Sequence, residues 1–140
     1  MTAIVLQIED REEDIQRLKS ALQEIGQFDL QSFRIASLAI EHLSEKLAEG
    51  AELPVLIVVD LALPGSSGYE FLRFYHSTPA LARVPVAVWS ISSGEVEEKL
   101  TGWLGSRKLV SKQSGPATLR KALKYFLDQS VSPPSTASQA

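Results

Sequence analysis

The sequence predicts an α/β protein: five strands, each followed by a helix, forming one parallel sheet covered on both faces. Three observations predict it. Short apolar runs alternate with stretches whose apolar residues recur at helical spacing. The strongest run, Val55–Val59, reads Val-Leu-Ile-Val-Val without alternation, as in a strand buried on both faces. The chain has 140 residues and no cysteine, so one domain must be held by its own core.

Each element has its own signal. Ala3–Ile8 is a short apolar run and reads as the first strand. Ile15, Leu18, Leu22 and Ile25 form one stripe of a helix, and Glu12, Glu13 and Asp14 suit the positive end of its dipole. Gly26 is its stop. Asp29–Arg34 is a weaker second strand. Ser37 is placed to cap a second helix through Leu47, with Ile40 and Leu43 on its inner face. Residues 50–54 break it, and Val55–Val59 follows. Leu63–Gly68 is a loop, Tyr69–Tyr75 a short helix, and Pro85–Ser90 the fourth strand. Residues 94–104 make the fourth helix, with Val96, Leu100 and Trp103 inward. Lys108–Ser111 is the fifth strand. Pro116 opens the last helix, whose stripe is Leu119, Ala122, Leu123 and Phe126. The domain is expected over 1–128, and residues 129–140, QSVSPPSTASQA, as a disordered tail.

Composition excludes several function classes. Hydrophobic residues make up 44% and charged residues 22%, as in ordinary globular chains. Without cysteine there is no thiolate zinc site and no cysteine nucleophile. Two histidines, His42 and His76, argue against a His-rich metal site, and both read as solvated. No apolar run is long enough for a transmembrane helix, and no signal peptide is evident. The expectation is a cytoplasmic protein without a membrane partner. The net charge of −3 hides an asymmetry: the first seventy residues carry thirteen Asp/Glu against five Lys/Arg, the last seventy four against nine. The basic run Arg107, Lys108, Lys112, Arg120, Lys121, Lys124 raises nucleic-acid binding. The overall negative charge and the lack of a DNA-binding motif argue against it.

In sheets of this type ligands bind outside the carboxyl ends of the strands. Those ends carry Glu9-Asp10, Asp60, Ser90 and Lys112. Clustered carboxylates repel unless a cation joins them, and hard oxygen ligands suit Mg²⁺. An Asp carboxylate can act as nucleophile to form an aspartyl-phosphate. A lysine and a serine hydroxyl beside it would stabilise the moving phosphoryl group. Asp10 also suits the N-cap of the first helix, and that role is compatible with metal binding.

The motifs VLQIED, VVDLALPGSSG, PVAVWS and LVSK, in that order, resemble the receiver domain of two-component response regulators over about residues 3–128. The resemblance implies the CheY-like, flavodoxin-like (βα)5 fold with strand order 2-1-3-4-5. It implies that Asp60 is the phosphoacceptor. Glu9 and Asp10 would hold Mg²⁺ with Asp60 and the backbone carbonyl of Ala62, Asp10 being the more direct ligand. Ser90 matches the switch hydroxyl and Lys112 the site lysine. The stretch STPALARVPVAVWS also resembles stand-alone receivers that work with phytochrome-type histidine kinases. The implied activity is phosphoryl acceptance from such a kinase, with signalling by protein contacts. The chain would then be no enzyme beyond assisting its own phosphoryl transfer and slow dephosphorylation. The fourth helix, fifth strand and fifth helix would form the switching face and a homodimer contact.

The sequence departs from the family pattern in places. Gln113 follows Lys112 where the family usually has Pro. Leu109 stands where an aromatic is usual, Ile91 follows Ser90 where a small residue is usual, and Trp89 is large for the fourth strand. Ala62 and Ser92 offer no group to orient a hydrolytic water, so slow self-dephosphorylation is expected. Gln113, Leu109 and Ile91 motivate an alternative: a receiver-like interaction domain that does not depend on phosphorylation. A hydrolase or flavin carrier of similar fold would need a G-x-S-x-G elbow, a Walker loop or a G-x-G-x-x-G fingerprint, and the sequence has none.

Overall fold

The fold is that of a computed structural model, which describes residues 2–61, 67–91 and 109–131, with residue 67 and the last three by backbone alone. Its elements are β1 (Ala3–Ile8), α1 (Glu12–Ile25), β2 (Phe28–Phe33), α2 (Ala36–Glu49), β3 (Leu56–Val59), α3 (Ser67–His76), a 3₁₀ turn (Pro79–Leu81), β4 (Val86–Ser90), β5 (Leu109–Ser111) and a last helix (Pro116–Val131). The strands make one five-stranded sheet in the order β2-β1-β3-β4-β5. Every pairing is parallel. The fold class and strand order are those expected.

Alternation along each strand divides the apolar residues between two cores. Leu6, Ile8, Ile57, Val59, Val86 and Val88 pack against Leu43 of α2 and Phe71 and Leu72 of α3. Val5, Leu56, Val58, Ala87, Trp89 and Val110 pack on the other face, against Leu18 and Leu22 of α1 and Leu119, Leu123 and Phe126 of the last helix. Burial on both faces is why β3 is apolar without alternation. Tyr75 ties α3 to the start of β4, its hydroxyl donating to the Val84 carbonyl at 2.6 Å.

Local details differ from the sequence reading. β2 starts at Phe28 and α3 at Ser67. Neither Asp10 nor Ser37 is an N-cap: α1 is entered from Arg11 and α2 from Ile35, both extended, and neither makes a side-chain cap hydrogen bond. The acids at the start of α1 still favour its dipole. Both helix stops are glycines. Gly26 donates to the Leu22 carbonyl, and Gly50 turns left-handed at φ 66°, a conformation that suits glycine. The last helix continues to Val131, into the stretch expected as tail. His42 is half-buried against the Phe33 ring rather than solvated. The fourth helix, Trp103, Ala62 and Ser92 lie outside the described residues. Among the described residues no helix is long and apolar enough to cross a membrane.

This topology positions the site. The chain runs from β1 outward to β2, then crosses back to β3 on the other side of β1. Sheets of this kind bind ligands where the winding reverses, between β1 and β3 at their carboxyl ends.

Candidate functional site

Register brings the predicted residues together. Ile8 pairs with Val59, and the Asp60 N–H donates to the Ile8 carbonyl at 3.1 Å. Glu9 and Asp60 therefore leave neighbouring strands side by side. Ser90 pairs with Ser111, and the Lys112 N–H donates to the Ser90 carbonyl at 2.9 Å. Glu9, Asp60 and Ser90 are buried.

Asp60 is held at both carboxylate oxygens. Ser90 Oγ donates to Oδ1 at 2.8 Å, and Lys112 Nζ donates to Oδ2 at 2.9 Å. Lys112 Nζ also reaches Glu9 Oε1 at 2.8 Å and Asp14 Oδ2 at 2.7 Å, with only 7% of its side chain exposed. One ammonium is thus shared by three carboxylates. Glu9, Asp10 and Asp60 each bring a carboxylate oxygen within 4.8 Å of the others. Three hard oxygens in that space fit Mg²⁺, which keeps several of its waters.

Burial and ion pairing compete in setting the protonation of this cluster. Burial, reinforced by the charge of Asp60, pushes the Glu9 carboxyl up to about 7 against the lowering effect of Lys112. Burial acts to lower Lys112, but its bonds to Asp14, Glu9 and Asp60 outweigh it and hold the ammonium above its ordinary range. Burial acts to raise Asp14, but Lys112 and then Arg17 outweigh it and hold the carboxyl below its ordinary value.

Asp14 is the member that the sequence reading missed. In the sequence it is one of three acids suited to the helix dipole, whereas in the fold it is 3% exposed and paired with Lys112. Arg17 was missed too. Its Nη1 lies 3.1 Å from Asp14 Oδ1, and Nη2 donates to the Lys112 carbonyl at 3.0 Å. Asp14 falls four residues after Asp10, on the turn of α1 above the strand ends. That spacing was the only available signal.

Several departures from the family pattern have a structural outcome. No cis peptide bond occurs among the described residues, so Lys112 and Gln113 are joined in trans. The loop closes through Gln113 N–H to Ser111 Oγ and Ser114 N–H to the Ser111 carbonyl, both at 3.1 Å. Trp89 is fully buried, with the Arg17 guanidinium 4.9 Å and Lys112 Nζ 5.3 Å from its ring centre. Leu109 packs on the α2/α3 core. Ile91 is 49% exposed just beyond β4.

No family model matches the chain. It is 29% identical over 89 residues to chemotaxis protein CheV1 of Helicobacter pylori, a match covering 64% of this chain and 27% of that protein. The chain therefore spans about a quarter of that relative's length. Among solved structures, it is similar to the phosphorylated cyanobacterial phytochrome response regulator RcpA, at 26% identity and a TM-score of 0.70, covering 99% of this chain and 98% of that one. It is also similar to the signal receiver domain of a signal transduction histidine kinase from Syntrophus aciditrophicus, at 24% identity and a TM-score of 0.76, covering 99% of both. Sheet order, site placement and these likenesses agree: the chain has the CheY-like receiver fold and is similar to receiver domains of two-component response regulators.

Proposed function

We propose that this receiver accepts a phosphoryl group on Asp60 from a histidine kinase, with Mg²⁺ bound, and signals through protein contacts. The observation that carries the reading is the Asp60 carboxylate, buried yet held by Ser90 on one oxygen and Lys112 on the other. An Asp60 oxygen would form a bond to the phosphorus of a phosphohistidine. The phosphorus–nitrogen bond breaks, and the imidazole nitrogen keeps the electron pair. The phosphoryl oxygens then compete with Asp60 for the Lys112 ammonium and the Ser90 hydroxyl. Both groups stabilise charge without moving far. Glu9, Asp10 and Asp60, with the carbonyl of Ala62 as the family resemblance implies, would hold Mg²⁺, which neutralises charge on the phosphoryl oxygens.

The chain would be a phosphoacceptor rather than an enzyme acting on other molecules. Ala62 and Ser92 supply no carboxylate or amide for a hydrolytic water, so the phosphoryl group should persist for minutes or longer. Likeness to RcpA supports a phytochrome-type kinase as partner. The exposed Tyr125 on the last helix supports a homodimer contact on that face. Sedimentation with and without beryllofluoride reads the dimer, and an unchanged monomer rejects it.

Acetyl phosphate with Mg²⁺ tests the central claim. The parent should gain one phosphoryl mass, lost in Asp60→Asn and decaying over minutes. A parent that gains no mass, with acetyl phosphate or a kinase, would leave the phosphorylation-independent interaction domain as the reading. Decay within seconds would overturn the slow dephosphorylation.

A further inference from the structure

Three carboxylates share the Lys112 ammonium, and they are not equivalent. Glu9 and Asp60 also belong to the acidic group with Asp10, and Asp14 stands outside it. A cation entering that group would draw on the charge of Glu9 and Asp60 and repel the ammonium beside them. Asp14 would then be the one partner still free to hold Lys112.

Asp14 is itself fastened. It is buried, Arg17 Nη1 lies 3.1 Å from it, and Arg11 Nε lies 3.6 Å away. Arg17 also grips the Lys112 backbone carbonyl at 3.0 Å. Helix α1 thus holds Lys112 at two points, the ammonium through Asp14 and the main chain through Arg17. The second grip lies just before Gln113, on a trans bond. Both cations lie over the Trp89 ring.

We propose that Asp14 and Arg17 are positioning residues that keep Lys112 beside Asp60 when a divalent cation occupies Glu9, Asp10 and Asp60. The inference rests on the reading of Asp60 and the acidic group given above. It differs from a plain staple between α1 and β5. A staple affects the melting temperature, but leaves both the Mg²⁺-saturated rate and the response of Trp89 to Mg²⁺ unchanged.

Trp89 supplies the readout. The chain has two tryptophans, so Trp103→Phe leaves the Trp89 indole alone. In that background MgCl₂ should bind with little change in emission, because Lys112 stays over the ring. In Asp14→Asn, MgCl₂ should bind within about three-fold of the parent affinity but change the emission clearly. Phosphoryl uptake from acetyl phosphate at saturating Mg²⁺ should slow about ten-fold. Arg17→Gln should move both readouts the same way by less, and Asp14→Glu should recover most of the rate. The proposal is overturned if Asp14→Asn and Arg17→Gln match the parent in rate and in emission response. Should Asp14→Asn fail to fold, Arg17→Gln and Asp14→Glu decide by the same readouts. A parent that takes up no phosphoryl group would end the Asp60 reading. The Mg²⁺-dependent emission of Trp89 would still decide this one.

Discussion

Glu9 carries the pH dependence expected of the metal-free protein. Its carboxyl keeps a proton up to about pH 7 in the fold, whereas its ordinary value is 4.5. Between those two values the folded chain binds a proton that the unfolded chain has lost. The stability this supplies is therefore full below about pH 4.5 and is lost as pH rises through 7. Asp14 is shifted the other way, so its contribution is lost only as pH falls through its lowered value. Lys112, raised, loses its contribution only at alkaline pH. In chelator, urea unfolding should show a fall of about 3 kcal/mol from Glu9 across its window, at 1.36 kcal/mol per unit. Glu9→Gln should flatten that fall, and an unchanged slope in the variant would assign it elsewhere. At this scale residue types were legible at the strand ends, because each end directs its next side chain into the cleft. Asp14 was not legible, because an acid in a first helical turn looks alike whether it serves the dipole or a buried ammonium.

Among the elements, α3 is set by its close approach to the site. The sequence placed its start at Tyr69 after a loop through Gly68, and the structure begins it at Ser67. Gly68 is buried against the backbone at the end of β3, where a Cβ would collide with the Asp60 carbonyl oxygen and lie 2.9 Å from Leu61 Cα. Gly68→Ala should therefore destabilise the domain by about 1–3 kcal/mol, as other overpacked sites do. It should also displace Asp60, lowering Mg²⁺ affinity. Thermal melting and a Mg²⁺ titration check both, and wild-type values in each would show that the helix start yields freely. Helix interiors were legible because apolar spacing reports the buried face. Helix starts were not, because Ser37 and Asp10 have the right side chains for caps and the backbone enters α1 and α2 elsewhere.

In the whole molecule the metal reading becomes a linkage. A cation that binds only the folded cluster stabilises the fold by mass action, about 2.7 kcal/mol at a hundred-fold excess over its dissociation constant. Mg²⁺ should raise the melting temperature of the parent and do so weakly in Asp10→Asn. A melting temperature indifferent to Mg²⁺ in the parent would remove Mg²⁺ from the proposed function. The effect should weaken as pH falls below 7, because Glu9 then holds its proton against the metal.

The amino-acid sequence by itself determined the architecture and which residues meet at the strand ends. Alternating periods force a sheet between two helical layers, and strand ends in such a sheet converge on one edge. That convergence also gave meaning to the charge asymmetry, since Glu9, Asp10 and Asp60 come from the acidic half and Lys112 from the basic half. Only the tertiary structure decided how the charges are shared. Asp14 meets Lys112 across 98 residues of chain, and Arg17 meets the Lys112 carbonyl across 95. Those contacts depend on the angle at which α1 packs beside β5 and Trp89. No local spacing encodes that angle, because it is set by side chains of both elements together.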